Sequence, residues 1–310
     1  MNVQSILYSI FVMAISCFLG TFLANLLVEL GLAKTFSKPL SPLMRLANLP
    51  TIFSIPAVVS IVDIRGGLSI VESIRRRGEI SDNTIVTYKL VTSPFSAISF
   101  LFRYYLPVSL VALGPFAGSI YIALNFIAAV ISMVIGLIYG RIRIKYKTQG
   151  FKIPEIKDKG KNVIRKSLKF AFEITRRIIV RYTIITAVIS ALIFLGFFDF
   201  LSKEIDVYTR NFGFSSNFAA LISIYTFSPI SSVLVAGEML KNGIISVKEC
   251  LIALLIGRFL FITIMDYPRH SFPFYVSIFP VRLATKLVIA GIIVNAIATP
   301  ILISVVLMIL

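Results

Sequence analysis

The sequence predicts an all-α polytopic membrane protein built from two inverted-topology repeats, and three observations support this fold class. Apolar residues make up 57% of the chain and charged residues 15%, whereas soluble domains average roughly 45–50% and about 25%. Several apolar stretches approach or exceed the ~20 residues that cross a bilayer. A segment of the first half also recurs in the second half, which is typical of transporter folds.

The recurrence involves small, polar and helix-breaking residues as well as apolar ones. With Gly78 aligned to Gly243, both copies share the pattern Gly-x-Ile-Ser, and Pro115 falls on Pro280. A shift of one residue aligns three further pairs, which are Glu72 with Glu238, Arg103 with Arg269, and Pro107 with Pro273. Apolar bias alone does not position Gly, Ser, Pro and Arg, so the match indicates an internal repeat.

We expect each half to contain about three transmembrane helices, an interfacial helix and a re-entrant helical hairpin. In the first half these are a span at 6–32, an interfacial segment at 33–50, a hairpin at 53–77, and spans at 83–105 and 116–139. The hairpin is expected to break at Gly66 and Gly67, and the second span at Ser93. Each hairpin arm is too short to cross a bilayer. The backbone groups left without helical partners at the break are tolerated inside the membrane only where protein or a cavity covers them.

The second half follows the same order. It contains a span at 178–200, a mixed polar and apolar segment at 201–217, a hairpin at 218–242, and spans at 248–266 and 283–310. This hairpin is expected to break around Ser228, Ser231 and Ser232. Three crossings is an odd number, so the second copy enters the membrane inverted. The predicted domains are a first repeat at 1–140, a basic loop at 141–177 and a second repeat at 178–310.

The net charge of +17 is concentrated in that loop. Between Arg141 and Arg181 lie fourteen basic and three acidic residues, a net charge of +11. The positive-inside rule places the loop in the cytoplasm and therefore both termini outside, in a multi-pass protein of the cell membrane. Anionic lipid head groups, not nucleic acid, are the expected partner of this charge. Further basic residues expected to meet head groups are Arg75, Arg76, Arg77, Arg269 and His270.

The series of span, interfacial helix, small-residue hairpin ending in Gly-x-Ile-Ser and proline-interrupted span resembles the nucleoside-recognition or Gate domain. That domain is similar to the membrane parts of concentrative nucleoside transporters, ferrous-iron permeases and spore-maturation membrane proteins. The chain resembles a stand-alone archaeal member, in keeping with its Ile- and Lys-rich composition. The resemblance covers most of the chain except the basic loop. It implies a transporter or permease for a polar small solute, nucleoside-like or ionic, working by alternating access between the two repeats.

Ionisable and polar residues inside membrane segments are the candidates for binding such a solute. The expected substrate-binding residues are Glu72, Glu238, Gly66, Gly67, Ser231, Ser232, Ser93 and Asn125. The two glutamates occupy equivalent hairpin positions and would approach one site, where they could bind a cation, a proton or a polar solute. Alternatively, they neutralise local arginines, the small residues serve close packing, and the polar residues bond neighbouring helices. The coupling ion, H⁺ or Na⁺, is left open.

Two other functions remain as alternatives to transport. A membrane assembly or scaffold protein would keep the fold without moving a solute. An enzyme of lipid or envelope metabolism would use Asp266 and His270 as an acid–base pair, although an interfacial turn is the simpler interpretation of that cluster. With a single histidine and two distant cysteines, no metal site or other cofactor is expected. We therefore predict a protein that is not an enzyme, with a homo-oligomer left open.

Overall fold

The computed structural model describes residues 39–62, 64–77, 80–144 and 216–310 continuously, with isolated positions between 11 and 26 and between 164 and 183. Regular structure in these residues is helical throughout. The α-helices are α1 Ser41–Leu46, α2 Ser54–Val62, α3 Ile64–Arg77, α4 Asp82–Val91, α5 Ser93–Phe100, α6 Val111–Arg143, α7 Ser216–Phe227, α8 Pro229–Lys241, α9 Val247–Leu260, α10 Phe272–Ile278 and α11 Val281–Ile309. A short 3₁₀ helix, Thr51–Phe53, precedes α2, and π-helical segments Leu101–Leu110 and Phe261–Ser271 follow α5 and α9.

Several predicted elements lie wholly or largely outside the described residues. They are the spans at 6–32 and 178–200, the mixed segment at 201–217 and the basic loop at 141–177. Within the described residues, two short helices precede a serine-capped helix in both halves, and each half also contains a π-helical segment and a long apolar helix. The order differs at one point, because α5 precedes the first π-helical segment whereas α10 follows the second.

The chain forms two compact units, each assembled from three stretches. The first unit comprises Met1–Ser99, Ser132–Ile185 and Phe274–Leu287, and the second comprises Phe100–Ile131, Thr186–Pro273 and Val288–Leu310. Both units therefore draw residues from both halves of the sequence. The predicted domain boundaries of the repeats follow a different division, and they stay predictions.

In the first unit, α2 and α3 form a tightly packed helical hairpin. Gly67 makes the close approach possible, because a Cβ atom there would overlap the Ser60 hydroxyl and lie 2.8 Å from the Pro56 carbonyl oxygen. Beside the hairpin, the rings of Phe53 and Tyr88 pack with their centroids 5.4 Å apart. Both side chains are fully buried, so they form part of this unit's core.

In the second unit, α7 packs against α8 and α9. The Ser232 hydroxyl donates a hydrogen bond of 2.9 Å to the Leu221 carbonyl, which joins α8 to α7. Gly257 lets α9 approach α7, since a Cβ there would lie 2.5 Å from the Cβ of Tyr225. The core around these contacts is apolar and includes Leu221, Ile222, Leu251 and Leu254.

The repeated Gly-x-Ile-Ser pattern has a local structural role at its serine. Ser81 and Ser246 are the N-cap residues of α4 and α9. Their hydroxyl oxygens accept hydrogen bonds from the backbone N–H groups of Thr84 at 3.3 Å and Glu249 at 3.2 Å. Helices leave their first N–H groups without intrahelical partners, and a serine cap supplies one.

The glycine of the pattern ends the preceding helix in the second copy. Gly243 has φ of 65°, a conformation that favours glycine. Its N–H donates to the Leu240 carbonyl at 3.2 Å, and the Ile244 N–H donates to the Met239 carbonyl at 2.9 Å. These two bonds form a Schellman motif, so the four-residue pattern closes one helix and starts the next. Gly78 of the first copy lies outside the described residues.

Three described helical stretches are long and apolar enough to cross a membrane. They are Val108–Arg143, Val247–Ile278 and Val281–Ile309. Both α6 and α11 expose an apolar side chain at every fourth position, as at Val130, Val134, Ile138 and Ile142 in α6 and at Ile289, Ile293, Ile297 and Ile301 in α11. These continuous apolar faces fit contact with lipid acyl chains, so the chain is described as an all-helical membrane protein.

Two local predictions are wrong. Gly66 and Gly67 do not break the first hairpin, because both lie inside α3, and Ser231 and Ser232 do not break the second, because both lie inside α8. Glycine can adopt helical geometry at a cost of about 1 kcal/mol. Here the absence of Cβ atoms serves packing.

The turn expected around Asp266 is also wrong, since Val247–Ile278 is helical throughout. Its π-helical segment contains Pro268, and the first π-helical segment contains Pro107. Proline lacks a backbone N–H and disrupts regular α-helical hydrogen bonding. The wider π turns keep the chain helical around it. The predicted interruption of the 83–105 span is present at Thr92, between α4 and α5.

Candidate functional site

Among the charged side chains of the first hairpin that the structure describes, the Glu72 carboxylate is the most buried. Its side chain is 4% exposed, and it accepts hydrogen bonds from Arg75 Nε at 2.5 Å and from Arg76 Nε at 2.7 Å. A second bond from Arg75 Nη2, at 2.9 Å, makes that pair bidentate. The hydrogen bonds to Glu72 raise the pKa of the Arg75 guanidinium above its ordinary value. One buried carboxylate thus holds two guanidinium groups at the end of α3.

Glu238 has a different environment on α8 of the second unit. Its side chain is 68% exposed, and it accepts a hydrogen bond of 2.8 Å from Lys241 Nζ one turn later. An exposed pair of this kind contributes little to stability. The two glutamates therefore share a position in the sequence repeat and a basic neighbour on the next turn, but not a degree of burial. Their convergence on one site stays a prediction.

The small residues of the two hairpins are in the interior of their helices. Gly66 and Gly67 are buried in the first turn of α3. In the second hairpin the break falls at Ser228, one of the three serines predicted there, and the Ser228 hydroxyl accepts a hydrogen bond from the Ser231 N–H at 3.3 Å. Ser232 is fully buried and bound to α7. Contacts between helix arms account for Gly67 and Ser232, and the Ser231 hydroxyl oxygen lies 2.7 Å from that of the capping Ser228.

Ser93 and Asn125 bond to nearby helical groups and lie in different compact units. The Ser93 and Ser132 hydroxyl oxygens are 2.8 Å apart, which links α5 to α6 in the first unit. The Asn125 amide nitrogen donates to the Tyr121 carbonyl at 2.8 Å. Its amide oxygen is buried with no hydrogen-bond partner among the described residues, so Asn125 keeps an acceptor for a polar ligand.

The Asp266 cluster lies within the second π-helical segment. The Asp266 carboxylate accepts a hydrogen bond of 2.7 Å from the Ser271 hydroxyl, and its other oxygen lies 3.6 Å from Nδ1 of His270. His270 is exposed, with Arg269 beside it half-buried. This geometry ties Asp266 to the helix end and leaves the lipid-facing role of Arg269 and His270 as a prediction. Among the described residues, no three His, Cys, Asp or Glu side chains lie close enough to hold a metal ion.

Sequence reasoning missed a buried aromatic cluster in the second unit. The hydroxyl oxygens of Tyr121 and Tyr225 lie 2.7 Å apart in the core. Tyr105 packs edge-on against Tyr121 at 6.1 Å, and Phe261 packs edge-on against Tyr225 at 6.3 Å. Tyrosines within apolar segments were counted as hydrophobic residues, so their polar ends gave no signal. The position of Tyr121 and Tyr225 within otherwise apolar stretches was the available indication.

Comparison with known proteins finds three relatives, all from Methanocaldococcus jannaschii. The uncharacterized protein MJ0871 is 27% identical over 87% of this chain and 84% of its own length. The uncharacterized protein MJ0880 is 26% identical over 84% of this chain and 85% of its own length. The uncharacterized protein MJ1556 is 27% identical over 84% of this chain and 82% of its own length. No family model and no solved structure matches the chain.

Proposed function

We propose that the chain is a multi-pass transporter or permease for a polar small solute in the cell membrane. The observation that carries this proposal is the recurrence of the same kinds of element in both halves, although α5 precedes the first π-helical segment and α10 follows the second. Each half has two short helices, a serine-capped helix, a π-helical segment and a long apolar helix. Duplicated halves with broken helices are typical of secondary transporters.

The short helices support the proposal by their length and composition. The shorter apolar helices among the described residues are Thr51–Ser60 and Asn217–Phe227, and each contributes the first arm of one hairpin. At 1.5 Å per residue, arms of this length span roughly half of a ~30 Å hydrocarbon core. They suit re-entrant hairpins that enter from opposite faces in inverted repeats, with the basic loop in the cytoplasm and both termini outside.

In this proposal, Glu72 and Glu238 act at the solute site or carry a coupling ion, and the two repeats alternate in opening to the two sides. The buried Glu72 supports such a role because a charge held away from water is costly unless it is used or paired. Its two arginine partners satisfy it in the present conformation. Movement of α3 would exchange these partners for a solute or a proton. The resemblance to the Gate domain points in the same direction without naming the cargo.

The test is uptake into proteoliposomes, using nucleosides, nucleobases, divalent metals and organic anions as solutes. Glu72→Gln and Glu238→Gln remove the charge and preserve the shape, so each should abolish or uncouple uptake in a protein that still inserts. Glu249→Gln is the matched control, because it removes an exposed carboxylate outside the hairpins and Gln also serves in a capping box.

Two results would overturn parts of the proposal. Full uptake by the Glu72→Gln, Glu238→Gln double variant would remove the site assignment. Absence of uptake or solute-induced stabilisation across the panel would favour the scaffold function. A lipid-modifying enzyme would instead lose its activity on Asp266→Asn or His270→Gln.

A further inference from the structure

The C-terminal end of α6 is joined to the residues that close α1. Arg141 Nε donates a hydrogen bond of 3.0 Å to the Leu46 carbonyl, and the Asn48 amide nitrogen donates one of 3.2 Å to the Ile144 carbonyl. The bonded residues are 95 and 96 positions apart in sequence, and all four belong to the first unit. These two contacts hold the short helix α1 against the end of a long apolar helix.

The two sides of α1 differ in burial. Met44 and Ala47 are fully buried, and α6 approaches closely there, because a Cβ atom on Gly140 would overlap the Ala47 carbonyl oxygen. Arg45 and Leu46 are exposed, Leu46 to 48%. The short helix therefore turns one charged and one large apolar side chain outward, beside the carbonyl group that Arg141 binds.

The exposed apolar row of α6 ends at Ile142, which is 72% exposed. Arg141 and Arg143 lie in the last turn of this helix, each about 100° around the axis from Ile142 on opposite sides. Arginines at the end of an apolar span keep the charged group at the membrane interface while their stems cover apolar surface. We call Arg45, Leu46, Arg141 and Ile142 together the α1–α6 surface.

Other side chains near this end of α6 are polar, as expected at a membrane interface. Tyr139, about 3 Å along the axis from Arg141, donates a hydrogen bond of 3.1 Å from its hydroxyl to the Asn83 side chain. Tyrosine is enriched at this level of membrane proteins. The carboxylate of Asp82, next to Asn83 in sequence, is paired with Lys286 Nζ at 2.8 Å. The polar level of the first unit thus coincides with the last turn of α6.

The α1–α6 surface has positive charge from both of its segments and no acidic residue in either. Neither 30–62 nor 83–154 contains an Asp or Glu. Arg45 and Arg141 are both exposed, and neither takes part in an ion pair within the described part of the chain. At a membrane interface the neighbouring anions are lipid head groups, and basic side chains beside a membrane span attract them.

We propose that Arg45 and Arg141 bind the phosphate group of an anionic phospholipid, with Leu46 and Ile142 in contact with its acyl chains. Because Arg141 Nε is bonded to the Leu46 carbonyl, the orientation of this guanidinium is fixed and its two Nη groups remain as donors to the phosphate. Arg45 supplies the second guanidinium from α1. The exposed apolar side chains favour a lipid over a soluble anion, since acyl chains would cover them. Such binding does not require that the chain transports a solute.

The experiment places the full chain in phosphatidylcholine nanodiscs with increasing fractions of phosphatidylglycerol. Thermal unfolding and hydrogen–deuterium exchange of residues 41–48 are the two measurements. The variants are Arg45→Gln, Arg141→Gln and their combination. Arg143→Gln is the matched control, because it removes the same charge from an exposed arginine two residues after Arg141, about 200° around the helix. Inorganic phosphate added to pure phosphatidylcholine nanodiscs tests for a soluble anion.

Phosphatidylglycerol should raise the melting temperature of the wild type and slow exchange in residues 41–48. Arg45→Gln and Arg141→Gln should each require about fivefold more phosphatidylglycerol for the same response, and the double variant should lose the response in residues 41–48. Arg143→Gln should need less than about twofold more. If Arg141→Gln fails to fold for lack of its bond to Leu46, Arg45→Gln decides, because the Arg45 side chain forms no hydrogen bond within the described residues.

Four results would overturn the proposal. The first is a wild type that does not respond to phosphatidylglycerol, and the second is a double variant that responds as the wild type does. The third is an equal shift in Arg45→Gln and Arg143→Gln, which would show diffuse attraction by the basic end of α6 and not a site. The fourth is stabilisation by inorganic phosphate in pure phosphatidylcholine that Arg45→Gln removes, which would assign a soluble anion to the two arginines.

Discussion

Tyr121 and Tyr225, on α6 and α7, place their hydroxyl oxygens 2.7 Å apart in the core of the second unit, although 104 residues separate them in sequence. Neighbouring aromatic rings pack edge-on against both tyrosines. The contact therefore joins a long apolar helix to the first arm of a hairpin through one buried polar bond.

Removal of both hydroxyl groups should cost less than the sum of the two single removals. Tyr121→Phe or Tyr225→Phe leaves the other hydroxyl without this partner in an apolar core, which should lower the free energy of unfolding by about 1–2 kcal/mol. The double variant should lose less than the sum of the two single losses. Thermal unfolding in one detergent measures all four proteins. Strictly additive losses would show that the two hydroxyl groups do not interact.

Glu72→Gln should be far more destabilising than Glu238→Gln. The first substitution removes a buried charge that binds two guanidinium groups, so we expect a loss of roughly 2–3 kcal/mol. The second removes an exposed partner of Lys241, which should change stability by less than about 0.5 kcal/mol. Chemical unfolding of the two variants in the same detergent gives the comparison. Equal losses of unfolding free energy in the two variants would show that Glu72 contributes no more to stability than the exposed Glu238.

Gly67→Ala should destabilise the first hairpin through overlap with the Ser60 hydroxyl. Overpacking of this kind costs typically about 1–3 kcal/mol. Ser60→Ala removes the overlapping oxygen, so the double variant should recover part of the loss, with the Pro56 carbonyl at 2.8 Å accounting for the remainder. Ser60→Ala alone is the control. If the double variant recovers no stability, overlap with the Ser60 hydroxyl is not the cause of the destabilisation by Gly67→Ala.

The capping serines should be equivalent in energy as well as in position. Ser81→Ala and Ser246→Ala each remove the side-chain acceptor at the start of a helix, and each should cost about 1 kcal/mol. Replacement by Asp retains a capping oxygen and should restore most of that stability. Melting temperatures of the four variants test this. If Ala and Asp behave alike at either position, that serine does not act as a cap.

In intact cells, a membrane-impermeant thiol reagent should label a cysteine at residue 2 but not a cysteine at residue 159. The charge of +11 between Arg141 and Arg181 favours the cytoplasm for that loop, and the proposed odd number of crossings in each half would then put the N-terminus outside. In a cysteine-free background, Asn2→Cys should label in intact cells and Lys159→Cys only after lysis. Labelling of Lys159→Cys from outside would reverse the topology.

Hydropathy and helix-breaking residues were sufficient to predict the helical class and several elements. The predicted span at 283–310 coincides closely with α11, and the break at Ser228 is present. Length and apolar content decide such features locally, so sequence reveals them. The break expected at Gly66 was wrong, because two adjacent glycines serve a close helix contact as readily as a kink.

Tertiary contacts and helix register could not be predicted in the same way. The pairing of Tyr121 with Tyr225 depends on how α6 docks against α7. The π-helical register around Asp266 depends on backbone hydrogen bonding, which hydropathy does not report.

The two π-helical segments also bear on how the halves can diverge in evolution. They have 10 and 11 residues, and the alignment of the halves shifts by one residue between the capping serines and the pair Arg103 and Arg269, then returns before Pro280. A π turn accommodates one additional residue within a helix. An insertion or deletion in this region can therefore be absorbed as a bulge, and the flanking helices keep their orientation without a new loop in the membrane.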